Sequence, residues 1–371
     1  METEQILDSL PGLLLPWYGE HRRDLPWRAD RQPYHVWLSE IMLQQTRMSA
    51  VLPYYERFLA ACPDIPALAA CEEERLYKLW EGLGYYSRAR NLQKAARIVC
   101  ERYGGSLPAD YDALLALPGI GPYTAGAIAS IGFGLAVPAV DGNVLRVLAR
   151  LDDDRACISE PAAKRAFTAR AAALQPPDRP GDFNQALMEL GALVCLPGGA
   201  PLCEKCPWRE ACRARAAGTA LLLPVKARPK ARRLVPVAVA LVQSPEGWLL
   251  RRRPETGLLA GLWEPPLWEN TTFADAAEMA AALARQGISV AAAYGRRRPG
   301  AALQPMARPL PAARHVFTHL EWEMSGWQFF APAGPAPEGY VWATPARLDA
   351  EYALPGAFKS YRALMLEQAD A

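Results

Sequence analysis

No apolar run in this sequence of 371 residues approaches the roughly 20 residues that a helix needs to cross a bilayer. The first ten residues also lack the basic start and the long apolar middle of a secretory signal peptide. These two absences exclude an integral membrane protein and predict a cytoplasmic location. In that reducing compartment, the eight cysteines indicate a metal site rather than disulfides.

A large net charge is missing as well. The formal charge of +2 predicts no polyanionic partner by itself, so a basic surface would have to come from local clusters such as Arg22–Arg23 and Lys226–Arg233. A composition of 51% hydrophobic and 22% charged residues is typical of globular proteins. A globular chain of this length should divide into two or three units.

Small residues are concentrated in the segment from Leu117 to Asp141, LPGIGPYTAGAIASIGFGLAVPAVD. Gly119 and Gly121 can end a preceding helix with positive φ and expose backbone N–H groups to a ligand. Pro122 suits the first turn of a second helix, whose N-terminus favours an anion such as a DNA phosphate. The segment therefore predicts a hairpin of two helices that contacts DNA. A small-residue hairpin in an ordinary core is the alternative.

A candidate acid lies on the helix predicted from Tyr34 to Thr46, YHVWLSEIMLQQT. Glu40 is one helical turn from Val36 and Leu43, so its carboxylate should lie among apolar neighbours. Loss of solvent disfavours the ionised form, which makes Glu40 a candidate proton donor near neutral pH. A surface glutamate is the alternative that helix position alone permits.

Two polar segments are candidates for contact with bases. Gln45 and Thr46 close the apolar helix with a polar patch. Farther along, EGLGYYSRARN places Tyr85 beside Arg88 on a loop between two predicted helices. Aromatic rings beside guanidinium groups suit insertion into a base stack with nearby phosphate clamps. The alternative for Tyr85 is an ordinary core aromatic.

A second CxxC pair, which zinc sites often use, is absent. The four cysteines Cys195, Cys203, Cys206 and Cys212 fall within eighteen residues, with seven, two and five residues between successive members. Four thiolates this close suit either a tetrahedral zinc ion or a cubane iron–sulfur cluster.

Composition changes after residue 220. Residues 221–234 are basic and contain proline, as a linker does. Beyond them we predict strands at Val235–Gln243, Gly247–Arg253 and Ala313–Met324, then a strand in SGWQFFAP, and a helix around Phe273–Gln286. This pattern indicates an α+β domain. Its helix lacks the cluster of carboxylates that gathers Mg²⁺, which favours a binding module over a hydrolase.

In chain order, these blocks resemble the helix-hairpin-helix, iron–sulfur DNA glycosylase superfamily, and most closely bacterial adenine DNA glycosylases of the MutY type. The shared segments are WLSEIMLQQT, GLGYYSRARNL, LPGIGPYTAGAI, VDGNVLRVLAR, FNQALMELGALVC, the four cysteines and RHVFTH. The resemblance covers nearly the whole chain. It implies a multi-domain protein with an all-α helix-hairpin-helix core that carries a [4Fe–4S] loop, followed by an α+β Nudix-like C-terminal domain.

The resemblance also implies domain boundaries. Residues 1–220 would form the glycosylase region, with a six-helix subdomain at roughly 31–137 and an iron–sulfur subdomain at roughly 1–30 plus 138–220. Residues 221–234 would link it to a Nudix-like 8-oxoguanine recognition domain at 235–371.

Enzymes of this type remove adenine mispaired with 8-oxoguanine or guanine in base excision repair, after flipping the adenine into a pocket. By the same resemblance, Glu40 protonates adenine, and Asp141 stabilises the sugar cation or traps it covalently. Tyr123 would lie hydrogen-bonded near the reacting centre, and Asn143 would order the attacking water. The four cysteines would hold the cluster, with a first gap one residue longer than the family pattern.

Further residues match DNA contacts. Arg28 and Gln185 match positions that touch the flipped adenine, whereas Gln45 and Tyr85 match residues wedged into the double helix beside 8-oxoguanine. A three-residue loop matches the Phe-Ser-His loop that distinguishes 8-oxoguanine from guanine, with threonine in place of serine. Its members are Phe317, Thr318 and His319.

Two other functions compete with this interpretation. An endonuclease III-like enzyme that removes oxidised pyrimidines and nicks the strand carries a hairpin lysine as Schiff-base nucleophile, where this sequence has Tyr123. A non-catalytic DNA-binding or electron-transfer protein would use the cluster alone, which leaves Glu40 and Asp141 unexplained. We therefore expect a monomeric, monofunctional adenine glycosylase that acts on double-stranded DNA with an adenine:8-oxoguanine mismatch, in the bacterial cytoplasm at the nucleoid and with no membrane partner.

Overall fold

The computed structural model divides the chain into two units. The first comprises Met1–Cys71 and Ser87–Arg228, and the second comprises Glu72–Tyr86 and Pro229–Ala371. Within them the structure describes residues 2–228, 231–291 and 306–367, and only the backbone of residues 2–8. No helix in these described ranges is long and apolar enough to pass through a membrane.

Helices build the first unit, as the sequence predicted. In chain order they are α1 (Glu2–His21), α2 (Pro33–Leu43), α3 (Met48–Ala61), α4 (Ile65–Ala70), α5 (Glu73–Trp80), α6 (Ser87–Tyr103), α7 (Tyr111–Leu115), α8 (Pro122–Ala127), α9 (Gly142–Asp152), α10 (Pro161–Leu174), α11 (Pro180–Leu193) and α12 (Arg213–Ala216). All of them except α5 belong to the first unit. Helix α2 ends three residues before the predicted end at Thr46, because Gln45 takes a φ of 56°, outside the helical range.

Helices α7 and α8 form the predicted hairpin, joined by residues 116–121. Gly119 has a φ of 78°, and a Cβ at this position would lie 2.8 Å from the Cβ of Asn91. Gly121 has an ordinary φ of −92° and is the N-cap of α8, so the positive φ expected there was wrong. Helix α8 continues into a π-helical turn at Ile128–Gly132. The hairpin therefore requires glycine at only one of the two positions.

Close backbone contacts tie the hairpin to the segment that precedes α9. A Cβ on Gly126 would lie 2.3 Å from the carbonyl oxygen of Pro138, so glycine allows the two segments to touch. The buried Asn184 of α11 donates 2.8 Å to the Ser130 hydroxyl and accepts 3.1 Å from the backbone N–H of Ala139. These contacts hold the chain just ahead of Asp141.

Four helices, α1, α9, α10 and α11, share one hydrophobic core. Its large members include Leu14, Leu148, Phe167, Leu187 and Trp208, all buried. The indole N–H of Trp208 donates 2.8 Å to a carbonyl oxygen of α1. This core fixes α9 and α11, the two helices that carry most of the candidate site.

A mixed sheet and three further helices make the α+β second unit that the sequence predicted. The strands are β1 (Arg233–Ser244), β2 (Gly247–Arg252), β3 (Trp263–Glu264), β4 (Leu267–Glu269), β5 (Ala307–Pro309), β6 (Ala313–Val316), β7 (Leu320–Phe330) and β8 (Tyr340–Ala343), and the helices are α13 (Ala276–Arg285), α14 (Pro345–Ala350) and α15 (Lys359–Glu367). The strand order is β3-β2-β1-β7-β5, while β4, β6 and β8 pair with β1, β7 and β2 respectively. Strands β1 and β7 run parallel, and the other described pairs are antiparallel.

The single strand predicted from Ala313 to Met324 is wrong. The chain turns between β6 and β7, which pair as a hairpin with His315 opposite Trp322. The turn is closed by a 2.9 Å hydrogen bond from the Phe317 N–H to the Leu320 carbonyl oxygen. The sequence contains neither glycine nor proline at this turn, so the usual turn signal was missing.

The segment Glu72–Tyr86, which includes α5, lies between parts of the first unit in sequence but packs within the second unit. The predicted six-helix subdomain included this segment. Its contacts with the second unit come from charged and aromatic side chains whose partners are far away in sequence, and no local pattern reveals such partners.

Candidate active site

A cavity of about 640 Å³ lies in the first unit. Its walls come from α2, the start of α8, the N-terminus of α9 and one side of α11. Eight of the predicted site residues line it together: Arg28, Glu40, Gln45, Thr46, Tyr123, Asp141, Asn143 and Gln185. Residues more than 140 positions apart in the chain thus face one space that is large enough for a nucleobase.

Glu40 lies on the buried side of α2 and is 8% exposed. The phenol of Tyr123 donates to its Oε2 at 2.5 Å. Burial raises the pKa of Glu40 from 4.5 to about 7, and the nearby Asp141 adds to the rise, while the hydrogen bond from Tyr123 and the charge of Arg28 oppose it. A substantial fraction of Glu40 therefore keeps its proton at neutral pH, as the sequence predicted from its apolar neighbours.

Asp141 is the N-cap of α9 and is half-buried. Its Oδ1 accepts from the backbone N–H groups of Asn143 (2.9 Å) and Val144 (2.8 Å), and its Oδ2 accepts from the Asn143 side-chain amide (2.6 Å). Burial raises the pKa of Asp141, and these N–H donors act against the rise. Three donors and the positive end of the α9 dipole favour the ionised carboxylate.

Tyr123 stands in the first turn of α8, next to the hairpin. Burial, together with Glu40, raises the pKa of its phenol well above the ordinary 10. The phenol therefore keeps its proton and acts as a hydrogen-bond donor to Glu40. A second contact, 3.5 Å to the sulfur of Met188, fixes the ring from the α11 side.

A hydrogen-bond chain leads from Asp141 toward the cysteine-rich loop. The side-chain oxygen of Asn143 accepts 2.9 Å from Arg146, a buried residue one turn farther along α9. Arg146 also donates 2.8 Å to the carbonyl oxygen of Cys195 and 2.9 Å to that of Gly191. Because Arg146 orients the Asn143 amide, it also orders a donor to Asp141.

Arginines and one buried acid form another part of the cavity wall. Glu189 of α11 is 0% exposed and pairs with Arg23 at 2.7 Å and with Arg28 at 2.6 Å. Gln185, one turn before Glu189, also faces the cavity. The wall thus offers guanidinium and amide groups to the polar edge of a base, while the Glu189 carboxylate holds the guanidinium groups in place.

Gln45 is exposed and has a φ of 56°, which is rare for a residue with a side chain. Arg88 maintains the turn that contains it by donating to the carbonyl oxygens of Ile41 (2.8 Å), Met42 (2.9 Å) and Gln44 (2.7 Å). Arg88 is 8% exposed, so its prediction as a surface phosphate clamp was wrong. Its physical task is to cap the end of α2 and to support Gln45.

The remaining predicted base contacts lie together in the second unit. Thr318 and His319 are exposed at the β6–β7 turn, and the Thr318 hydroxyl lies 3.4 Å from the hydroxyl of Tyr85. The ring of Phe317 packs edge-on against His315 and Trp322, with centroids 4.6 and 5.1 Å away. Phe317 therefore anchors the turn that presents the two exposed side chains.

The four candidate metal ligands line one cavity of about 30 Å³, which is also bordered by Arg150, Arg209 and Arg215. Among the described side chains, no three Cys, His, Asp or Glu converge closely enough to hold a single metal ion. One zinc ion would need all four sulfurs about 2.3 Å from a common centre. A four-iron cluster instead binds each thiolate to a different iron, which suits sulfurs spread around a cavity.

Comparisons with known proteins match a different family to each of the two units. Residues 38–170 match the family described as HhH-GPD superfamily base excision DNA repair protein, and residues 237–364 match the NUDIX domain. A thermostable thymine-DNA glycosylase, 29% identical, superposes with a TM-score of 0.52 over 58% of this chain and 100% of its own. Endonuclease III in a complex with DNA, at 23% identity, shares the fold with a TM-score of 0.50, over 59% of this chain and 98% of its own.

Adenine DNA glycosylase from Mus musculus is 37% identical to this chain over 394 residues, which cover 89% of this chain and 73% of the mouse protein. The chain belongs to the adenine DNA glycosylase family. The Homo sapiens member is 41% identical over 70% of this chain and 57% of its own length. The Schizosaccharomyces pombe member is 29% identical over 98% of this chain and 90% of its own. This adenine DNA glycosylase family member is a base excision repair enzyme with a helix-hairpin-helix core and a Nudix-like domain.

Sequence reasoning missed several residues that complete the site of this family member. Glu189, Met188 and Arg146 were not among the predicted site residues. For Glu189 a signal existed, because an acid four residues after Gln185 on a largely apolar helix falls on the same helical face. Arg146 has a similar signal, because it lies one turn after Gly142 on α9. Its partners in α11 and at Cys195 are visible only in the folded chain.

Proposed function

We propose that this enzyme removes adenine from double-stranded DNA when adenine stands opposite 8-oxoguanine or guanine. The supporting observation is one cavity that contains two carboxylates in opposite environments. Glu40 is buried with a raised pKa, and Asp141 is held by three N–H donors. One proton donor and one carboxylate are what cleavage of a glycosidic bond through a sugar cation requires.

The reaction begins when the adenine nucleotide leaves the base stack and enters the cavity. The Glu40 carboxyl gives its proton to a nitrogen of adenine's five-membered ring. The bond between the base and the sugar then breaks, and its electron pair leaves with the now neutral adenine. The sugar becomes an oxocarbenium ion, which the Asp141 carboxylate stabilises until water adds to it and releases a proton, which the now ionised Glu40 can accept.

Tyr123 and Asn143 act through these acids. Tyr123 orients the Glu40 carboxyl group by its short hydrogen bond, so the proton stays on the side that faces the base. Asn143 holds Asp141 and also lines the cavity, where its amide can order the water that attacks the cation. Arg28 and Gln185 contact the flipped base, and Glu189 fixes the position of Arg28.

We assign recognition of the base opposite adenine to Gln45, Tyr85 and the Phe317–His319 turn. Gln45 and Tyr85 are exposed and take positive φ values of 56° and 48°. Strained, exposed side chains of this kind cluster at functional sites. Thr318 keeps the hydroxyl of the serine that it replaces, so it can form the same type of hydrogen bond to a purine.

The cysteine cavity fits a [4Fe–4S] cluster, and Cys195, Cys203, Cys206 and Cys212 would hold it. The side chain of Arg150 donates to the Cys195 sulfur at 3.3 Å, and a cation at that distance stabilises a thiolate. When bound, the cluster supplies Fe–S cross-links to the loop and a redox-active centre. The first cysteine gap, one residue longer than the family pattern, includes an exposed stretch at Gly198 and Gly199.

An adenine glycosylase without lyase chemistry is favoured over the endonuclease III-like alternative. The hairpin position after Gly121 and Pro122 holds Tyr123, which has no amine to form a Schiff base. We expect the enzyme to act as a monomer, because one chain contains the full set of proposed residues. We also expect it to act on DNA in the bacterial cytoplasm.

The test is cleavage of an end-labelled duplex that contains one adenine opposite 8-oxoguanine. Strand breaks should develop only after alkali treatment, which opens the abasic site. Breaks without alkali would indicate a lyase, and an intact strand after prolonged incubation and alkali would contradict the proposal. Iron analysis and the absorbance spectrum of the same preparation test the cluster.

A further inference from the structure

Lys78 of α5 is hydrogen-bonded to the end of another helix of the second unit. Its ammonium group donates to the carbonyl oxygens of Leu348 (3.2 Å) and Tyr352 (3.4 Å). Leu348 belongs to the last turn of α14, where carbonyl oxygens lack helical partners and carry partial negative charge. Lys78 therefore caps α14 with a positive charge from a different part of the sequence.

Glu81, at the end of α5, binds the chain that follows α14. Its Oε1 accepts 3.0 Å from the backbone N–H of Leu354 and lies 3.7 Å from Nε of Arg362 in α15. Its Oε2 pairs with Lys78 at 2.7 Å. Both side chains are largely shielded, 18% and 17% exposed, so loss of either one removes a charge partner that water cannot fully replace.

Tyr85 follows Glu81 by four residues and is the exposed tip of the same segment. The intervening Gly82 and Gly84 have φ values of 101° and 69°, which permit a sharp turn after α5. The Trp80 indole donates 3.1 Å to the carbonyl oxygen of Gly84 and closes that turn. The Tyr85 hydroxyl then lies 3.4 Å from the Thr318 hydroxyl.

We propose that Lys78 and Glu81 are positioning residues for recognition of the base opposite adenine. By fixing the end of α5 to the α14–α15 region, they set Tyr85 beside Thr318 within the second unit. This inference rests on the proposed recognition of 8-oxoguanine and extends it to two residues outside the recognised motifs. Neither side chain touches DNA in this account.

The test compares two duplexes that differ only in the base opposite adenine, 8-oxoguanine or guanine. Single-turnover rates and binding constants are measured for the full-length wild type, Lys78→Met and Glu81→Met. Each variant should lose about tenfold of the preference for 8-oxoguanine, the effect of one hydrogen bond to the base lost when Tyr85 and Thr318 move apart. Lys78→Arg should recover most of the preference, because it keeps the charge and the donors.

Glu351→Gln is the matched control. Glu351 lies in the same unit and pairs with Arg347, but that pair is about half exposed and does not involve α5. The preference of Glu351→Gln for 8-oxoguanine over guanine should equal that of the wild type. Hydrogen exchange in residues 82–86 should be faster in Lys78→Met than in the control, since the anchor of α5 is lost.

The outcomes separate the two proposals. A wild type that cleaves both duplexes equally would overturn the proposed recognition itself. A wild type with a clear preference that Lys78→Met and Glu81→Met retain would overturn only the positioning role. An equal loss of rate on both duplexes would show a purely structural effect and would also overturn it.

Discussion

Two helices present a carboxylate to the same cavity, from different positions along their length. Glu40 lies in the interior of α2, where the backbone N–H groups are already used, and among the described side chains the Tyr123 phenol donates to its carboxyl group. Asp141 stands just ahead of α9, where free N–H groups converge on it. Burial raises the pKa of both acids, and position along a helix decides how strongly N–H donors oppose that rise.

The difference also explains why the two residues are not interchangeable. A helix interior supplies burial without donors, which suits a proton donor at neutral pH. A helix N-terminus supplies donors and a favourable dipole, which suits a carboxylate that must face a cation. This contrast between Glu40 and Asp141 can be broken by changing either side chain or the pH.

We expect the largest effect from Glu40→Gln, on the rate of adenine excision. Glutamine keeps the volume and accepts the hydrogen bond from Tyr123, but it cannot give a proton to the base. The single-turnover rate should fall by about 10²–10⁴, the usual contribution of a general acid. DNA binding, measured by gel shift on the same duplex, should change little.

The matched control for that variant is Glu56→Gln, which changes an exposed glutamate on α3. It should retain the wild-type rate. A Glu40→Gln enzyme that also works near the wild-type rate would remove the distinction between the two acids, since neither would then be needed as a donor.

A rise in pH should lower the excision rate by a smaller factor. Because Glu40 has a pKa raised to about 7 and must be protonated, the excision rate should decline above that pH. The decline should approach about tenfold per pH unit, so the rate at pH 9 should be about 100-fold below its maximum. A rate that stays flat from pH 6 to 9 would be incompatible with Glu40 as the donor.

The substitution that lowers the excision rate, Glu40→Gln, should raise the free energy of unfolding. The folded-state pKa of Glu40 is above its ordinary value, so folding favours the protonated form and stability falls as pH rises from 4.5 to about 7. At pH 8, Glu40→Gln should therefore be more stable than wild type by about 3 kcal/mol, and the gain should vanish below pH 4.

Asp141→Asn provides the comparison in the same urea titrations. Its gain at pH 8 should be smaller than that of Glu40→Gln, because N–H donors already compensate the Asp141 charge. Equal gains for the two variants would show that the helix N-terminus gives Asp141 no special environment.

The smallest effect concerns the support of Asp141. A Cβ on Gly191 would lie 2.6 Å from the Cβ of Asn143, so Gly191→Ala must displace the residue that donates to Asp141. We expect a loss of about 1–3 kcal/mol in unfolding free energy from overpacking, together with a slower excision rate. Gly19→Ala on α1, where nothing lies within 4 Å, is the control and should not destabilise.

The sequence predicted the burial of Glu40 well but not which distant residues lie next to it. Val36 and Leu43 lie one turn away on the same helix, so its burial is a local property that periodicity reveals. Its proximity to Asp141 came only from the resemblance to known glycosylases. Spacing alone contains no information about two residues 101 positions apart.

Two kinds of error remain, one from distant partners and one from a local turn. Arg88 looked like a phosphate clamp because it stands beside Tyr85 in the sequence, but its partners are the carbonyl oxygens at the end of α2. Glu189 was missed because its two arginines are more than 160 positions away. The β6–β7 turn was missed because Phe317–His319 continues a strand-like pattern. Distant partners decided the cases of Arg88 and Glu189, and single-sequence reasoning does not include them, whereas the turn lacked the usual local signal.

The protonation state of Glu40 is the central claim, and infrared difference spectroscopy tests it most directly. The spectrum of wild type minus Glu40→Gln isolates the C=O band of this one carboxylic acid, which can be followed from pH 4 to pH 9. The account predicts that the band persists at pH 6 and disappears with a midpoint near 7. A midpoint below 5 would mean that Glu40 is ionised at neutral pH, and it would contradict the account.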